Sequence, residues 1–447
     1  MECWGGVWAV HPSFHNSIVP VLQRSTGRWI GPLQENDVLL KRVKYFGAKI
    51  SRAWADGTLR DKAGRFLIAS VATPLDVTGG YLRLARKDRQ LDLAAGFADH
   101  RGRPEHHRSD PEHLRRIVAA YKAAKQARRD APAAFEIRGL WAEWIDVNYR
   151  DLVRALNAED MAALAALFEN LQREQLTIGA GSGYDEYAKY RTSLTGRLYV
   201  RTVWCRYRDK FQRLGRPEEA VHYPLVGNPA GIFLNGDVIQ IHAFRHAYHA
   251  LEMHRWLRDI PDAVVVEIGG GIGGQAYQAM RAARTPIAKY LVFDIPEVAA
   301  VCSYFLLSAL PDRRIRLYGE GPVSVGDSED YDLAVFPHFE VARLPERSVD
   351  LYHNACSFSE MDSVSAAEYL RIVERTCRRY FSHINHEVRF RYRNPDGSTS
   401  VNLIGSELAP DPHTFKQVFK KPRTFCLPED RSMPAFEYLY ERRKVSG

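Results

Sequence analysis

Residues 264–296 read VVVEIGGGIGGQAYQAMRAARTPIAKYLVFDIP, and this stretch decides the fold. Three β-branched valines, 264–266, are typical of a strand that is buried on both faces. A glycine-rich turn follows Glu267, and the Ala-rich segment after it favours a helix through residue 284. A second apolar run predicts another buried strand, which ends at Asp294. The stretch therefore predicts a β-α-β unit with a glycine turn after its first strand and a carboxylate after its second.

The glycines and the two acids predict a cofactor site. Gly269, Gly271 and Gly273 let the backbone turn tightly and let a ligand approach closely. Asp294 lies 21 residues after Gly273 (294 − 273), where a carboxylate can accept hydrogen bonds from ribose hydroxyls. Glu267 would repel the pyrophosphate of a dinucleotide, whereas it suits the cationic amino-acid part of S-adenosylmethionine. We therefore predict S-adenosylmethionine as the cofactor. A nucleotide-dependent oxidoreductase and a domain that binds nothing here are the alternatives.

The composition is that of a soluble globular protein with two or three domains. The 447 residues carry 62 basic and 54 acidic side chains, a formal net charge of +8. This mild excess is compatible with an anionic substrate, nucleic acid or a membrane surface. The six cysteines form no CxxC pair, so neither a zinc ribbon nor a disulfide framework is indicated. The N-terminal residues do not resemble a signal peptide, and no stretch is apolar over a bilayer-spanning length, which predicts a cytoplasmic protein.

The chain divides into three predicted regions. Residues 1–108 contain aromatic and short apolar runs without recognisable chemistry, so their role is left open. Residues 109–260 predict a mainly helical cap over the substrate, whose first helix begins at Ser109-Asp110-Pro111-Glu112 with Ser109 as its capping residue. Residues 261–447 predict the cofactor-binding domain. The fold class we expect is α/β, with a Rossmann-like, mostly parallel sheet and an antiparallel C-terminal edge.

A helix predicted over residues 243–257 leads the chain into the glycine turn. Phe244, Ala247, Tyr248 and Leu251 share one apolar face of this helix. An element in this position borders the cofactor, so Arg245 and Tyr248 are further candidates for cofactor contacts. For Tyr248, packing within the apolar face is the stronger interpretation.

Two further strand ends carry groups that could act on an acceptor. Ligands bind outside the carboxyl ends of strands in an open parallel sheet, and residues 353–362 and 383–387 follow or end predicted strands there. Methyl transfer to oxygen requires a group that removes the proton of the acceptor hydroxyl. The candidates for that base are Glu360 and His386, followed by Asp362 and His353.

These candidates have structural alternatives. Asp362 also fits the capping position of the helix that follows it. His383 and His386 point to opposite faces of one strand, so at most one of them can face the site easily. The same acids and histidines could instead hold a divalent cation, although we predict no metal.

Three motifs together resemble the bacterial sugar O-methyltransferases, a family that includes an enzyme acting on the deoxysugar of a polyether antibiotic. They are Glu267-Ile268-Gly269-Gly270-Gly271-Ile272-Gly273-Gly274, Asp294-Ile295-Pro296-Glu297 and Ser357-Phe358-Ser359-Glu360-Met361. The segments Gly227-Asn228-Pro229 and Arg245-His246-Ala247-Tyr248 are similar to the family's segment before its first motif.

The resemblance covers roughly residues 150–440. It implies a class I methyltransferase fold, S-adenosylmethionine as the methyl donor and a sugar hydroxyl as the acceptor. Glu267, Gly269, Gly271 and Asp294 match cofactor-binding positions of class I enzymes, whereas no catalytic role is carried onto Glu360 or His386.

We therefore expect an S-adenosylmethionine-dependent O-methyltransferase whose partner is a small-molecule sugar or glycoside. The sugar would belong to a glycosylated natural product, which implies natural-product biosynthesis, or to a polysaccharide precursor. We expect no nucleic-acid partner and no membrane span, and a homo-oligomer is compatible with this function. The alternatives are a methyltransferase for another small molecule and an RNA-modifying or RNA-binding protein. The net charge and the Arg- and Tyr-rich residues 184–211 motivate the RNA alternative. The sequence contains no Asn-Pro-Pro-Tyr-type base-methylation motif and no recognised RNA-binding module, which argues against it. A scaffold without activity is disfavoured by the intact glycine turn.

Overall fold

A computed structural model describes residues 92–177, 184, 211–212, 221–234, 236–240, 242–282, 285–326, 330–393, 397–423 and 434–444. The predictions for residues 1–91, and for nearly all of the Arg- and Tyr-rich stretch, lie outside the described residues. Among the described residues, no helix combines the length and the apolar character that crossing a bilayer requires.

Twelve strands are described, and eight of them form one sheet. In chain order they are β1 (Gly231–Leu234), β2 (Asp237–Gln240), β3 (Ala263–Ile268), β4 (Ile287–Asp294), β5 (Ile315–Leu317), β6 (Leu333–Pro337), β7 (Val349–Ala355), β8 (Cys377–His386), β9 (Arg391–Arg393), β10 (Thr399–Val401), β11 (Phe415–Pro422) and β12 (Ala435–Arg442). The order across the large sheet is β11-β12-β8-β7-β3-β4-β6-β5. β1 pairs with β2, and β9 pairs with β10, in two small antiparallel hairpins.

The large sheet has the predicted Rossmann-like α/β architecture. The six strands from β8 to β5 pair in parallel. β12 runs antiparallel to both β8 and β11, which makes the C-terminal edge antiparallel. The chain leaves β3 toward β4 and β6, then returns to β7 on the other side of β3. A crevice opens at such a reversal, outside the carboxyl ends of the strands. The predicted fold class is therefore confirmed.

Nine α-helices are described. In chain order they are α1 (Leu93–Gly96), α2 (Pro111–Ala127), α3 (Gly139–Asn148), α4 (Arg150–Ala158), α5 (Met161–Glu169), α6 (Ala243–Leu257), α7 (Gly274–Met280), α8 (Pro296–Ala309) and α9 (Ser363–Thr376). The bounds of α6 are those predicted. α7 ends at Met280, before the predicted residue 284, where the Arg313 guanidinium donates to the carbonyls of Met280 and Ala282.

The start of α2 corrects one detail of the prediction. Asp110, rather than Ser109, caps this helix, because the Asp110 carboxylate accepts from the backbone N–H of Glu112 at 2.8 Å. The Ser109 hydroxyl instead donates to the Tyr304 hydroxyl of α8 at 3.3 Å. The predicted apolar side of α2 is buried. Ser109 therefore joins the helical region to the sheet domain.

Residues 133–138, between α2 and α3, and the first turn of α3 reach the carboxyl ends of the strands. The Phe135 carbonyl bonds with Nε2 of His338, just after β6, at 2.8 Å. The Phe135 ring also packs edge-to-face on Tyr369 of α9, with centroids 5.4 Å apart. The helical region thus closes over the strand ends, where the sequence analysis places the site.

Candidate functional site

A cleft lies at the carboxyl ends of β3, β4 and β7. It encloses about 1170 Å³, a volume that includes its opening to solvent. Seven of the predicted site residues line it: Arg245, Glu267, Gly269, Gly271, Asp294, Glu360 and Asp362. The four that do not are Tyr248, Gly273, His353 and His386. The cleft therefore brings together predicted cofactor residues and two of the predicted catalytic candidates.

The glycine turn forms the floor of the cleft and fits only small residues. Gly269 has a φ of +79°, and a Cβ there would lie 2.3 Å from the Ser357 hydroxyl oxygen. A Cβ on Gly270 would lie 2.3 Å from Cγ1 of Val292. Gly273 precedes α7 with a φ of +88°, and a Cβ there would lie 2.9 Å from Cγ of Leu306. The turn therefore needs glycine for close packing as well as for ligand approach.

Glu267, the second-last residue of β3, carries a buried carboxyl group. The Tyr290 hydroxyl donates to its Oε2 atom at 2.9 Å. Burial raises the pKa of Glu267 to about 8, and this effect exceeds the opposite effects of the Tyr290 bond and of Arg245. At neutral pH the carboxyl group is therefore mostly protonated in the ligand-free protein, and a cation beside it would favour ionisation.

Asp294 lies opposite, at the end of β4. Its Oδ2 atom accepts from the backbone N–H of Gly271 at 2.9 Å, and its Oδ1 atom accepts from that of Ile295 at 2.8 Å. Burial raises the pKa of Asp294 to about 7 despite these two bonds. Each carboxylate oxygen can accept a further hydrogen bond. The bond from Gly271 thus fixes the Asp294 side chain at the glycine turn, and both carboxylate oxygens can still accept a hydrogen bond from a ligand.

Glu360 lines the cleft from the segment after β7, and we call this part of the cleft the Glu360 end. It closes a 3₁₀ helix, Ser357–Glu360, which follows β7 directly. Only 7% of the residue is exposed, and the indole N–H of Trp141 donates to its Oε2 atom at 3.1 Å. Burial raises the pKa of Glu360 to about 7. A carboxylate with this pKa is suited to exchange a proton near neutral pH.

Asp362 is engaged as a helix cap. Its Oδ1 atom accepts from the backbone N–H groups of Val364 and Ser365 at 2.9 and 3.1 Å, and its Oδ2 atom accepts from the Ser365 hydroxyl at 3.0 Å. The contacts of Asp362 therefore support a role as the cap of α9 rather than as a catalytic base.

The two candidate histidines are buried in the sheet beside the cleft. His353 is paired with Glu267 across β3 and β7, and burial, with the charge of Arg245, lowers its pKa to about 3. His386 ends β8 with its ring edge-to-face on Phe390, and burial lowers its pKa to about 4. Both rings are therefore neutral at pH 7.

Of the two α6 residues predicted to contact the cofactor, Arg245 faces the cleft and Tyr248 does not. Arg245, His246 and His249 line the cleft, whereas Tyr248 lies under the Lys421 ammonium, which is 5.8 Å from its ring centre. Residues three and four positions apart share a helix face, which explains why Arg245 and His249 face the cleft together.

Several cleft residues have no counterpart in the sequence predictions. Phe135, Trp141, His338 and Tyr369 line the cleft from three separate parts of the chain. The Trp141 ring is held edge-on against Trp144, with centroids 5.3 Å apart. The sequence signal that could have identified this element is the pair of tryptophans three residues apart, Trp141 and Trp144. Within the described part of the chain, no three His, Cys, Asp or Glu side chains are grouped to hold a metal ion.

Comparison with solved structures finds weak likenesses to methyltransferases. The 1,6-didemethyltoxoflavin-N1-methyltransferase of Burkholderia thailandensis is 15% identical, with a TM-score of 0.29, over 44% of this chain and 79% of that one. The magnesium protoporphyrin IX methyltransferase of Synechocystis is 11% identical, with a TM-score of 0.30, over 45% of this chain and 81% of that one. The small RNA methyltransferase HEN1 is 14% identical, with a TM-score of 0.30, over 45% and 25%.

These three proteins act on different acceptors. At this level of similarity they carry no argument about the cofactor or the acceptor of this chain. No family model and no curated protein matches the chain.

Proposed function

We propose that the protein is an S-adenosylmethionine-dependent O-methyltransferase that acts on a sugar hydroxyl. One observation carries the proposal. Two buried carboxyl groups, Glu267 and Asp294, flank the glycine turn of the cleft, and a third, Glu360, lines the same cleft from the segment after β7. The first two suit a ligand with cationic and ribose groups, and the third suits a proton acceptor.

The residues present fit this cofactor better than they fit a dinucleotide. Glu267 would bind the ammonium of the methionyl part, and the nearby Arg245 guanidinium would bind its carboxylate. Asp294 would accept from the ribose hydroxyls. A pyrophosphate would instead meet two buried carboxyl groups, which become more costly to ionise beside a further negative charge.

Glu360 would act as the general base. When bound, the cofactor supplies a methyl group on a positively charged sulfur. As the acceptor oxygen takes this methyl group and S-adenosylhomocysteine leaves, the hydroxyl proton would pass to the Glu360 carboxylate. Trp141 holds the Glu360 side chain through its indole N–H, so that the base is oriented before the acceptor arrives.

A sugar acceptor is supported by the family resemblance and by the chemistry at this end of the cleft. An aromatic side chain, Trp141, lies beside a carboxylate that can bind a hydroxyl. Another small alcohol or a phenol would use the same two groups. A panel of glycosides and phenols with labelled methyl donor distinguishes them, because only glycosides should accept label.

Three basic side chains of α2 do not favour the RNA-binding alternative. Arg115, Arg116 and Lys122 form ion pairs with Glu112, Glu320 and Glu159. Their charges are balanced within the protein, whereas nucleic-acid binding needs cations that are available to phosphates.

The cofactor is tested by calorimetric titration with S-adenosylhomocysteine, with NAD as the parallel ligand. We expect binding of S-adenosylhomocysteine, no heat with NAD, and an affinity at least about tenfold lower for Asp294→Ala. Asp332→Ala is the matched control. Asp332 directly precedes β6, at the amino ends of the strands and away from the cleft, and its carboxylate accepts from Arg314. Heat with NAD alone would overturn the proposal.

A further inference from the structure

A buried chain of hydrogen bonds joins the glycine turn to the 3₁₀ helix that carries Glu360. It begins at the Ile268 carbonyl, which accepts from Nδ2 of Asn354 at 2.9 Å. Nδ2 of Asn385, in β8, donates to Oδ1 of Asn354 at 3.0 Å. Oδ1 of Asn385 accepts from the backbone N–H of Ser359, next to Glu360, at 3.0 Å. Three adjacent strands therefore contribute to one path between the two ends of the cleft.

The direction of each bond in this path is fixed by the backbone. The Ser359 N–H can only donate, so Asn385 presents its oxygen there and its NH₂ group toward Asn354. Asn354 then presents its NH₂ group to the Ile268 carbonyl, which can only accept. Asn354, Asn385 and Ser359 have no exposed surface. Because every bond in the path has a defined donor, rotating either amide would leave buried polar groups unpaired.

The same two segments also approach each other directly. The Ser357 hydroxyl donates to the Ile268 carbonyl at 3.2 Å, and its oxygen would lie 2.3 Å from a Cβ on Gly269. Cys356, just before it, has a φ of +69°. A non-glycine residue holds this backbone conformation only where surrounding contacts determine it. The 3₁₀ helix is thus held against the glycine turn by contacts on both its first and its third residue.

We infer that Asn354 and Asn385 are positioning residues, which hold the Ser357–Glu360 helix against the end of β3 so that Glu360 meets the acceptor beside the bound cofactor. This inference rests on the proposed role of Glu360. Neither asparagine lines the cleft, so both act through the helix and not by touching a ligand. Asn354 serves both ends of the cleft, whereas Asn385 serves the Glu360 end alone.

Trp141 provides a readout that needs no acceptor. Its indole N–H bonds Glu360. We therefore expect ionisation of Glu360 to change the fluorescence of Trp141. In the wild type we expect a fluorescence titration with a midpoint near the raised pKa of Glu360, which is about 7. Trp141→Phe and Glu360→Gln should both abolish this titration, which identifies its source. A wild type without a titration near this pH would overturn the inference.

The roles of the two asparagines are distinguished by measuring this midpoint together with the affinity for S-adenosylhomocysteine. In Asn385→Ala the helix loosens and Glu360 becomes hydrated, so the midpoint should fall by about one pH unit or more, with affinity changed less than about threefold. In Asn354→Ala the midpoint should fall and the affinity should also weaken about tenfold, because the contact at Ile268 is lost.

Two further variants exclude a general loss of stability. Thr376→Val removes a buried hydrogen bond to Tyr352 on the same face of the sheet, away from the cleft, and should leave the midpoint unchanged. Asn385→Asp should have the wild-type midpoint, unlike Asn385→Ala. Burial keeps the new carboxyl group protonated, so it has one donor and one acceptor, as the amide does.

The outcomes for the inference and for the proposed function are distinct. An unchanged midpoint in both alanine variants, with wild-type binding of S-adenosylhomocysteine, would overturn the inference alone. Failure of the wild type to bind S-adenosylhomocysteine would overturn the proposed function, whatever the midpoints show.

Discussion

The two ends of the cleft are built in different ways. The glycine-turn end comes from one contiguous stretch, in which β3, α7 and β4 follow each other and place Glu267 and Asp294 at neighbouring strand ends. The Glu360 end joins residues that are far apart in the chain. Trp141 and Glu360, which share a hydrogen bond, are separated by 219 positions. One end is therefore encoded locally, and the other exists only after the helical region packs on the sheet.

Burial acts on both ends in the same direction but with different consequences. It raises the pKa of Glu267, Asp294 and Glu360 alike. At the glycine-turn end, a cationic or hydrogen-bonding ligand would stabilise the ionised form of both carboxyl groups. At the Glu360 end the result is a single group that can take and release a proton. If this division is correct, substitutions at the two ends should have separable effects on binding and on rate.

The largest expected effect is on rate, from Glu360→Gln. This change removes the proposed base while keeping the size of the side chain, so methyl transfer should fall by about 10²–10⁴-fold. Affinity for S-adenosylhomocysteine should stay within about threefold. In the wild type, the rate should rise with pH through about 7, because Glu360 must be ionised to act.

Glu340→Gln is the matched control for that prediction. Glu340 is also buried and accepts from a hydroxyl, that of Tyr318 at 2.8 Å, but it does not line the cleft. Equal loss of rate in both variants, measured with labelled methyl donor and an accepted glycoside, would remove the distinction between the two ends.

The next effect is on binding, from Gly269→Ala. The added methyl group would enter the space of the Ser357 hydroxyl, and the positive φ adds strain. We expect the affinity for S-adenosylhomocysteine to fall by about a hundredfold, since the turn must shift by more than a flexible side chain can absorb. Calorimetry measures the change.

Gly236→Ala separates backbone strain from the steric effect. Gly236 has a φ of +92°, and a Cβ there would meet nothing within 4 Å. This variant should lose about 1 kcal/mol of stability, with unchanged affinity. A Gly269→Ala variant that binds as tightly as Gly236→Ala would show that the turn does not hold the ligand.

The smallest effect is the pH dependence of binding. Because the pKa of Glu267 is raised to about 8 in the free protein, binding an ammonium group should release about one proton at pH 7. The affinity for S-adenosylhomocysteine should therefore be about fivefold lower at pH 7 than at pH 8. Calorimetry in buffers with different ionisation enthalpies measures the proton release.

Glu267→Gln tests the source of that proton. The variant should bind more weakly at pH 8 and lose the part of the pH dependence that Glu267 contributes, while the part due to Asp294 persists below pH 7. The same proton release in wild type and variant would contradict the assignment of the ammonium site.

Several predictions from local sequence agree with the structure because local rules govern them. The β-branched run forms β3, which is buried throughout, and the amphipathic pattern of α6 predicts its bounds. The cap of α2 differs from the prediction because two adjacent residues can both cap a helix. Ser109 and Asp110 are both good helix caps, and the packing of Ser109 against Tyr304 decides between them.

The catalytic candidates were harder to rank from the sequence. Glu360, His353 and His386 all occur near strand ends, and alternation along a strand cannot say which strand neighbours which. The sheet order places His353 beside Glu267 beneath the cleft, and it leaves His386 against Phe390 outside it. Glu360 reaches the cleft because the 3₁₀ helix after β7 turns back toward β3.

The sequence by itself determined the parallel sheet, the glycine turn and the pair of carboxylates beside it. Those features depend on residues close together in the chain, where spacing and side-chain type are enough. Only the tertiary structure decided that Trp141 contacts Glu360, that burial raises the pKa values of three carboxyl groups, and that Asn354 and Asn385 connect the two ends. The physical reason is that desolvation and hydrogen-bond partners depend on which distant segments pack together, and spacing along the chain does not record that.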